Sequence, residues 1–267
     1  MAERAKNPLH GAAPVRVPLP KAPLIKVVAQ IRFAVKAELN ADAGVLAFRA
    51  AILPRYPVEQ HQQQLNVVML PGQPLPFQNT TKLWRFTDPS GIWAIALTHD
   101  FLALETNAYT ERADLFDRIG DLLRIAHATL QPIEVTRMGL RYVDRIAGME
   151  FARLPELVYP DVGGLAVGEL SGDVAAVTTE ALLSLADLNA VLRLRWALVP
   201  EGLSYDAAAI APIPARSWVL DLDAFGICNG TIEVEKDAET FRSYADRIYR
   251  VFRWSVTDEF LRTFGAA

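Results

Sequence analysis

Three arginines recur at every fourth position of one stretch near the middle of the chain: Arg137, Arg141 and Arg145, within residues 136–146. The apolar residues between them are typical of a strand, in which residues of the same parity point to the same face of a sheet. A guanidinium group forms paired hydrogen bonds with a carboxylate or a phosphate. The stretch therefore predicts a central strand with one face that is rich in arginine.

Two further predicted strands carry charge at alternate positions. Arg193 and Arg195 share one face of the first, and Asp221 and Asp223 share one face of the second. Arg32, in a predicted strand near the start of the chain, joins the same surface if the two halves of the protein pair as described below. One sheet face is thus predicted to carry six arginines and two aspartates, while the opposite face packs on helices.

This charged face has two interpretations. Its arginines could form a concave site for a protein partner or for a small ligand with phosphate or carboxylate groups. Alternatively, Arg141 or Arg145 could form cross-strand ion pairs with Asp221 or Asp223, on a face that only meets solvent or a partner. The sequence leaves both interpretations open.

The aspartate pair also admits an enzymatic interpretation. Asp221 and Asp223 could hold a magnesium ion, and the arginines would then stabilise charge during attack on a phosphodiester or a nucleotide. An Asp-x-Asp pair is common, however, and the spacing fixes no third acidic ligand, although Glu233 and Glu235 lie nearby in sequence. A metal-dependent enzyme is therefore the alternative prediction.

Other catalytic patterns are missing from the sequence. The four histidines include no pair at the spacing of metal ligands, and the single cysteine, Cys228, falls in a predicted loop with no histidine nearby in sequence. There is no glycine-rich phosphate loop and no signature of a serine hydrolase or zinc protease. We therefore expect no cofactor, and we expect a binding role rather than catalysis.

The composition narrows the class of protein. The chain has 267 residues and a net charge of −4, which disfavours sequence-independent binding of nucleic acid. Specific recognition of nucleic acid by a saddle-like duplicated sheet is a third interpretation, which the acidic balance also disfavours. A single cysteine cannot form a disulfide within the chain and fits a reducing compartment. The sequence has no recognisable signal peptide and no apolar run of membrane-spanning length, so we predict a cytoplasmic protein without membrane contact.

The predicted elements repeat along the chain. Residues 1–22 are predicted to form a flexible lead-in. Residues 23–131 and residues 132–267 each run through a strand, a short helix, an antiparallel meander and a long amphipathic helix, the second of which is predicted to run from Asp237 past Phe260. The predicted fold is α+β: one compact domain whose long antiparallel sheet, built from two similar halves, carries two long helices on one face.

A match between the halves supports this plan. Pro23-Leu24 aligns with Pro132-Ile133, and Ile31-Arg32-Phe33 aligns with Leu140-Arg141-Tyr142 at the same offset. Strand-rich sequences also match by chance. Internal duplication is nevertheless the interpretation that the alignment favours.

The stretch Arg137-Met-Gly-Leu-Arg-Tyr-Val-Asp-Arg-Ile146 resembles the motif Arg-x-Gly-Leu-Arg-Tyr-x-Asn-Arg-Ile of a sporadically distributed prokaryotic family of uncharacterised proteins of about this length. Residues 22–33 are similar to that family's opening Ala-Pro-Leu-x-x-Val-Val-x-x-Ile-Arg-Phe, and Leu220-Asp-Leu-Asp223 is similar to its Leu-Asp-x-Asp strand. Asp144 stands where the family usually has asparagine. The resemblance implies no activity, but the family's patchy distribution is similar to that of accessory genes on mobile elements, such as defence or toxin–antitoxin components.

These observations together predict a non-enzymatic binding protein. Its arginine-rich sheet face is expected to recognise a protein partner or a small anionic ligand, in an accessory system such as defence or toxin neutralisation. The residues expected to bind are Arg32, Arg137, Arg141, Arg145, Arg193, Arg195, Asp221 and Asp223.

Overall fold

One antiparallel sheet organises the fold. The computed structural model describes residues 7–10, 13–68, 77–207 and 209–265. Within these residues nine strands join in the order β2-β3-β4-β5-β1-β6-β9-β8-β7, and each neighbouring pair is antiparallel. The strands are β1 (Leu24–Phe33), β2 (Val58–Val68), β3 (Phe77–Thr87), β4 (Trp93–Leu97), β5 (Phe101–Thr106), β6 (Val135–Ala147), β7 (Val177–Leu185), β8 (Ala190–Val199) and β9 (Ser217–Gly230).

Helices pack on one face of this sheet. They are α1 (Asp42–Ile52), α2 (Arg112–Thr129), α3 (Gly148–Ala152), α4 (Leu154–Leu157), α5 (Pro160–Gly163), α6 (Val234–Ser255) and α7 (Asp258–Phe264). The two long helices, α2 and α6, contact each other and the strands beneath them. In the part of the chain that the structure describes, no helix combines the length and apolar content needed to cross a membrane.

The main core lies between the sheet and the helices. Alternate residues of β1, including Val27 and Ile31, are buried on this side, as are Leu140 of β6 and the α6 residues Phe241 and Ile248. Period-two burial in a strand and three- to four-residue spacing in a helix are the patterns that such a core requires. The predicted α+β fold, with an antiparallel sheet under two long helices, is confirmed.

The chain divides about the central β1–β6 pair. The strands from β1 to β5 occupy one side of the sheet and those from β6 to β9 occupy the other. Each set is followed by a long helix, α2 after β5 and α6 after β9. The division into two similar halves, and their origin by duplication, stay a prediction.

Two local predictions near the end of the chain are wrong. The final helix is not continuous, because the extended backbone of Val256 forms a β-bridge with Val158, and Thr257 then caps α7 by accepting a hydrogen bond from the Phe260 N–H. Cys228 lies in β9 rather than in a loop, since pairing with β6 continues past it, to the Val135–Gly230 pair. Pairing with β6 thus keeps the segment around Cys228 extended, although the glycines at its two ends favour a turn.

The described part of the lead-in contacts α6. The backbone N–H of Val17 donates to the Tyr249 hydroxyl at 2.9 Å, and Arg16 forms an ion pair with Asp246. The N–H of Lys21 donates to the carbonyl of Phe264 at 3.2 Å. These bonds hold the segment along the helical side of the molecule.

Candidate binding face

The sheet surface opposite the helices, here called the outer face, brings the predicted site residues together. Strand register places Arg32 beside Arg137, and Asp223 between Arg141 and Arg193. Asp221 lies beside Arg195 in the next row of the same face. Arg145 lies farther along β6, where its side chain donates to the carbonyl of Ala211 at 2.8 Å.

At one end of the outer face, Arg141 and Asp221 form a buried ion pair. The Nε and Nη2 atoms of Arg141 donate to the two carboxylate oxygens of Asp221 at 2.8 and 2.7 Å. Asp206 adds a second carboxylate 2.8 Å from the same guanidinium, and the Tyr205 hydroxyl donates to Asp221 at 3.3 Å. The side chain of Asp221 is 0% exposed, so its charge depends on these neighbours.

The loop of residues 200–216 covers this end. Ile210 is fully buried against outer-face residues, and Tyr205 packs beside it. The small apolar cluster beneath the loop consists of Val143, Ala197, Val199 and Val219. We call this region the covered end; it is closed to a large partner.

The remaining groups of the covered end are also paired. Arg195 donates from Nε to Glu180 at 2.9 Å and lies 3.8 Å from Asp221. Burial alone would lower the pKa of Arg141, but hydrogen bonds to Asp221 and Asp206 outweigh it, and the pKa is raised. The cross-strand ion pairing that the sequence allowed is therefore found for Arg141 with Asp221 but not for Arg145.

The opposite end of the outer face has a different balance of charge. Arg193 donates to Asp223 at 2.8 Å, and Arg137 donates to the same oxygen at 3.4 Å. Arg32 lies directly opposite Arg137 and pairs with Asp100 at 3.2 Å. Three arginines thus share two carboxylates, and their side chains are 47%, 28% and 27% exposed for Arg32, Arg137 and Arg193. We call Arg32, Arg137 and Arg193 the open end.

Arg137 occupies an unusual position in this open end. Its guanidinium lies 4.2 Å from the ring centroid of Phe225, where cation–π attraction and stacking hold it. A Cβ atom at Gly139 would lie 3.2 Å from Nη1 of Arg137, so the glycine leaves the space that the guanidinium fills. The side chain of Arg137 is 28% exposed, against 15% for Arg141.

The hydrogen bonds of Arg137 are long. Its two bonds, to Asp223 and to the side chain of Gln30, both measure 3.4 Å, near the limit for an effective hydrogen bond. Burial lowers the pKa of Arg137; the carboxylate of Asp223 opposes this effect, and the positive charges of Arg32 and Arg193 add to it. The guanidinium therefore retains donor capacity in a region of positive potential.

Asp223 is the carboxylate that Arg137 and Arg193 share. It is 5% exposed, and burial raises its pKa despite the opposing attraction of Arg137 and Arg193. The Nε atom of Arg193 is buried and has no hydrogen-bond partner among the described residues. Neither arginine is fully satisfied by the one carboxylate that they share.

The geometry favours ion pairing over metal binding for the aspartates. The oxygens of Asp221 accept from Arg141 and Tyr205, and those of Asp223 face Arg137 and Arg193. Among the described residues, no three His, Cys, Asp or Glu side chains are grouped so that they could hold a metal ion. Glu233 and Glu235 lie at the start of α6 rather than beside the pair.

Several residues of the outer face were not identified from the sequence. Tyr205 and Asp206 come from a loop without a recognisable motif. On the first half of the sheet, Glu105 accepts from Lys26 at 2.8 Å and from Arg85 at 3.1 Å. Alternation in β1, β3 and β5 assigns these side chains to a face, but only the strand order shows that they meet.

Comparisons with known proteins add no assignment. No protein-family model matches the chain, and no curated protein matches it in sequence. The family resemblance of the central motif therefore stays a prediction.

Proposed function

We propose that this protein is a non-enzymatic binding protein whose open end takes an anionic group, a carboxylate or a phosphate, carried by a protein partner or a small ligand. The observation that carries the proposal is the state of Arg137. Its guanidinium is held on Phe225, is partly exposed, and makes two hydrogen bonds to the described residues, both of 3.4 Å. An incoming anion would accept shorter, charge-assisted bonds from it.

The neighbouring charges support the same role. Arg32 and Arg193 flank Arg137 and lower its pKa by repulsion, in addition to the effect of burial. An anion placed among the three arginines would relieve that repulsion. The covered end does not offer this gain, because Arg141 and Arg195 are already paired with Asp206, Asp221 and Glu180.

The proposal is tested by titration with two probes, tripolyphosphate and a glutamate-rich peptide, followed through the arginine Nε–H signals in NMR spectra. Arg137→Gln is expected to weaken binding about tenfold to a hundredfold, since a charge-assisted hydrogen bond contributes about 1.5–3 kcal/mol. Arg124→Gln removes an arginine of α2 whose side chain is 61% exposed, and it is the matched control.

A second variant changes the position of the Arg137 guanidinium without removing its charge. Gly139→Ala keeps all the arginines but places a Cβ against the guanidinium of Arg137. The added Cβ also lies 3.3 Å from the Cβ of Phe225, so the thermal stability of the variant is measured as well, and binding is expected to weaken at temperatures at which the variant is fully folded. Equal affinity of the wild type and Arg137→Gln for both probes, or no binding of either probe at millimolar concentration, would contradict the proposal.

A further inference from the structure

The last strand of the sheet, β7, has an unprotected edge. Among the residues that the structure describes, it pairs with β8 alone, in an unbroken register from the Val177–Leu198 pair to the Leu185–Ala190 pair. Its sequence contains no proline and one charged residue, Glu180. Natural edge strands are usually protected by lysines, prolines, bulges or a covering segment. β7 has no such lysine, proline or bulge.

The free side of this strand is available for pairing. Apart from the ladder with β8, no backbone N–H or C=O group of residues 177–185 forms a hydrogen bond within the described chain. The side chains of residues 178–182 are exposed, and Leu182 is 63% exposed. A regular strand with exposed apolar side chains is a template for an additional strand.

We propose that β7 pairs with β7 of a second copy of this chain, antiparallel and centred on Leu182. In this register Leu182 faces Leu182 of the second copy, and Ala181 faces Leu183. Glu180 faces Ser184, so no like charges lie opposite each other. The ladder runs from Thr179 to Leu185 and joins the two sheets into one continuous sheet with two-fold symmetry.

The charge and the apolar pattern of the β7 edge favour a second copy of the chain over a charged peptide. Glu180 is already neutralised by Arg195, with 2.9 Å between Nε and the carboxylate, so the edge offers no net charge to an ionic partner. The run from Ala181 to Leu183 is complementary to itself, because apolar residues meet apolar residues in the antiparallel register. A strand pair of this length buries little area alone.

Other exposed leucines provide further area. Leu165 is 50% exposed and Leu170 is 56% exposed, and both belong to the segment that leads into β7. Gly164, at the start of this segment, lies against Trp196 of β8, the strand next to β7. The segment therefore packs on the helical side of the sheet close to the proposed seam. This surface is separate from the open end, and the inference does not depend on the proposed function.

Sedimentation velocity of the full chain, from low micromolar to near-millimolar concentration, tests the inference. The wild type is expected to form dimers as the concentration rises. Leu182→Lys places two lysines opposite each other and is expected to raise the dissociation constant about tenfold or more. Leu46→Lys is the matched control, since Leu46 is 61% exposed on α1, and it is expected to leave the dissociation constant unchanged.

Hydrogen exchange gives an independent readout. Amides between Thr179 and Leu185 on the free edge are expected to exchange more slowly in concentrated than in dilute wild-type protein, and this difference should vanish in Leu182→Lys. A wild type that stays monomeric throughout would overturn the inference. Equal weakening by both lysine variants, or dimers without slower exchange in β7, would overturn it as well.

Discussion

Replacement of Arg141 by methionine isolates the energetic role of the covered end. The variant keeps most of the side-chain volume but removes the guanidinium that forms two hydrogen bonds with the fully buried Asp221. Tyr205 and Arg195 then remain as its nearest partners, at 3.3 and 3.8 Å. Removal of one partner from a buried ion pair costs about 3–5 kcal/mol, because the remaining charge is left uncompensated.

The loss can be measured by urea unfolding, which gives the free energy of unfolding and shows whether the transition stays cooperative. For a chain of this size, a loss of 3–5 kcal/mol lowers the melting temperature by roughly 6–20 °C. Arg153→Met is the control, since Arg153 forms its ion pairs at the surface and is 44% exposed. Exposed pairs contribute little, so its unfolding curve should match that of the wild type.

A double variant distinguishes a missing partner from lost packing. Asp221→Asn removes the buried charge, so the combination with Arg141→Met is expected to be more stable than Arg141→Met alone. If Arg141→Met loses no more stability than Arg153→Met, the buried pair contributes nothing measurable and the reasoning about the covered end is wrong. The same conclusion follows if the two substitutions at the pair are simply additive.

Three further predictions concern other parts of the molecule. Burial raises the pKa of Asp144 to about 7, so the folded protein keeps a proton that the unfolded chain releases above about pH 4. The free energy of unfolding is therefore expected to fall by up to about 4 kcal/mol as the pH rises from about 4 to 7. Urea unfolding at several pH values in this range measures the fall, and Asp144→Asn should remove the contribution of Asp144 to it. Gly164 has φ +48° and lies against Trp196, so Gly164→Ala is expected to lower the free energy of unfolding by about 1–3 kcal/mol. Urea unfolding measures this loss, and an unchanged midpoint would contradict the prediction. Burial, and to a lesser degree Asp237, raises the pKa of the Cys228 thiol, so its alkylation by iodoacetamide near neutral pH should be slower than that of free cysteine.

The strands and their faces could be predicted from the sequence because strand alternation is a local property. The parity of Arg137, Arg141 and Arg145 assigns them to one side of β6, and the same holds for Asp221 and Asp223 in β9. The apolar alternation of β1 and the helical spacing of α6 likewise predict the core side. These patterns identify the fold class and the charged face.

Local patterns failed where a distant segment decides the structure. The break after α6 depends on Val158, which lies almost a hundred positions away in the chain and pairs with Val256. The strand that contains Cys228 continues because β6 pairs with it. Tyr205 and Asp206 belong to a loop that shows no periodic signal, so their place over Asp221 was not predictable.

The sequence by itself determined, through strand parity, that Arg137, Arg141 and Arg145 share one face of their strand, as Arg193 and Arg195 do on theirs and Asp221 and Asp223 on theirs. Only the tertiary structure decided that these strand faces meet, and which of the charges are neutralised. Arg141 and Asp221 lie 80 residues apart in the chain, and Arg137 and Asp223 lie 86 residues apart, so no spacing rule relates them. Charge compensation depends on distance and burial in space. The fold therefore pairs Arg141 closely with carboxylates, whereas the Arg137 guanidinium keeps hydrogen-bond donors that are not fully used.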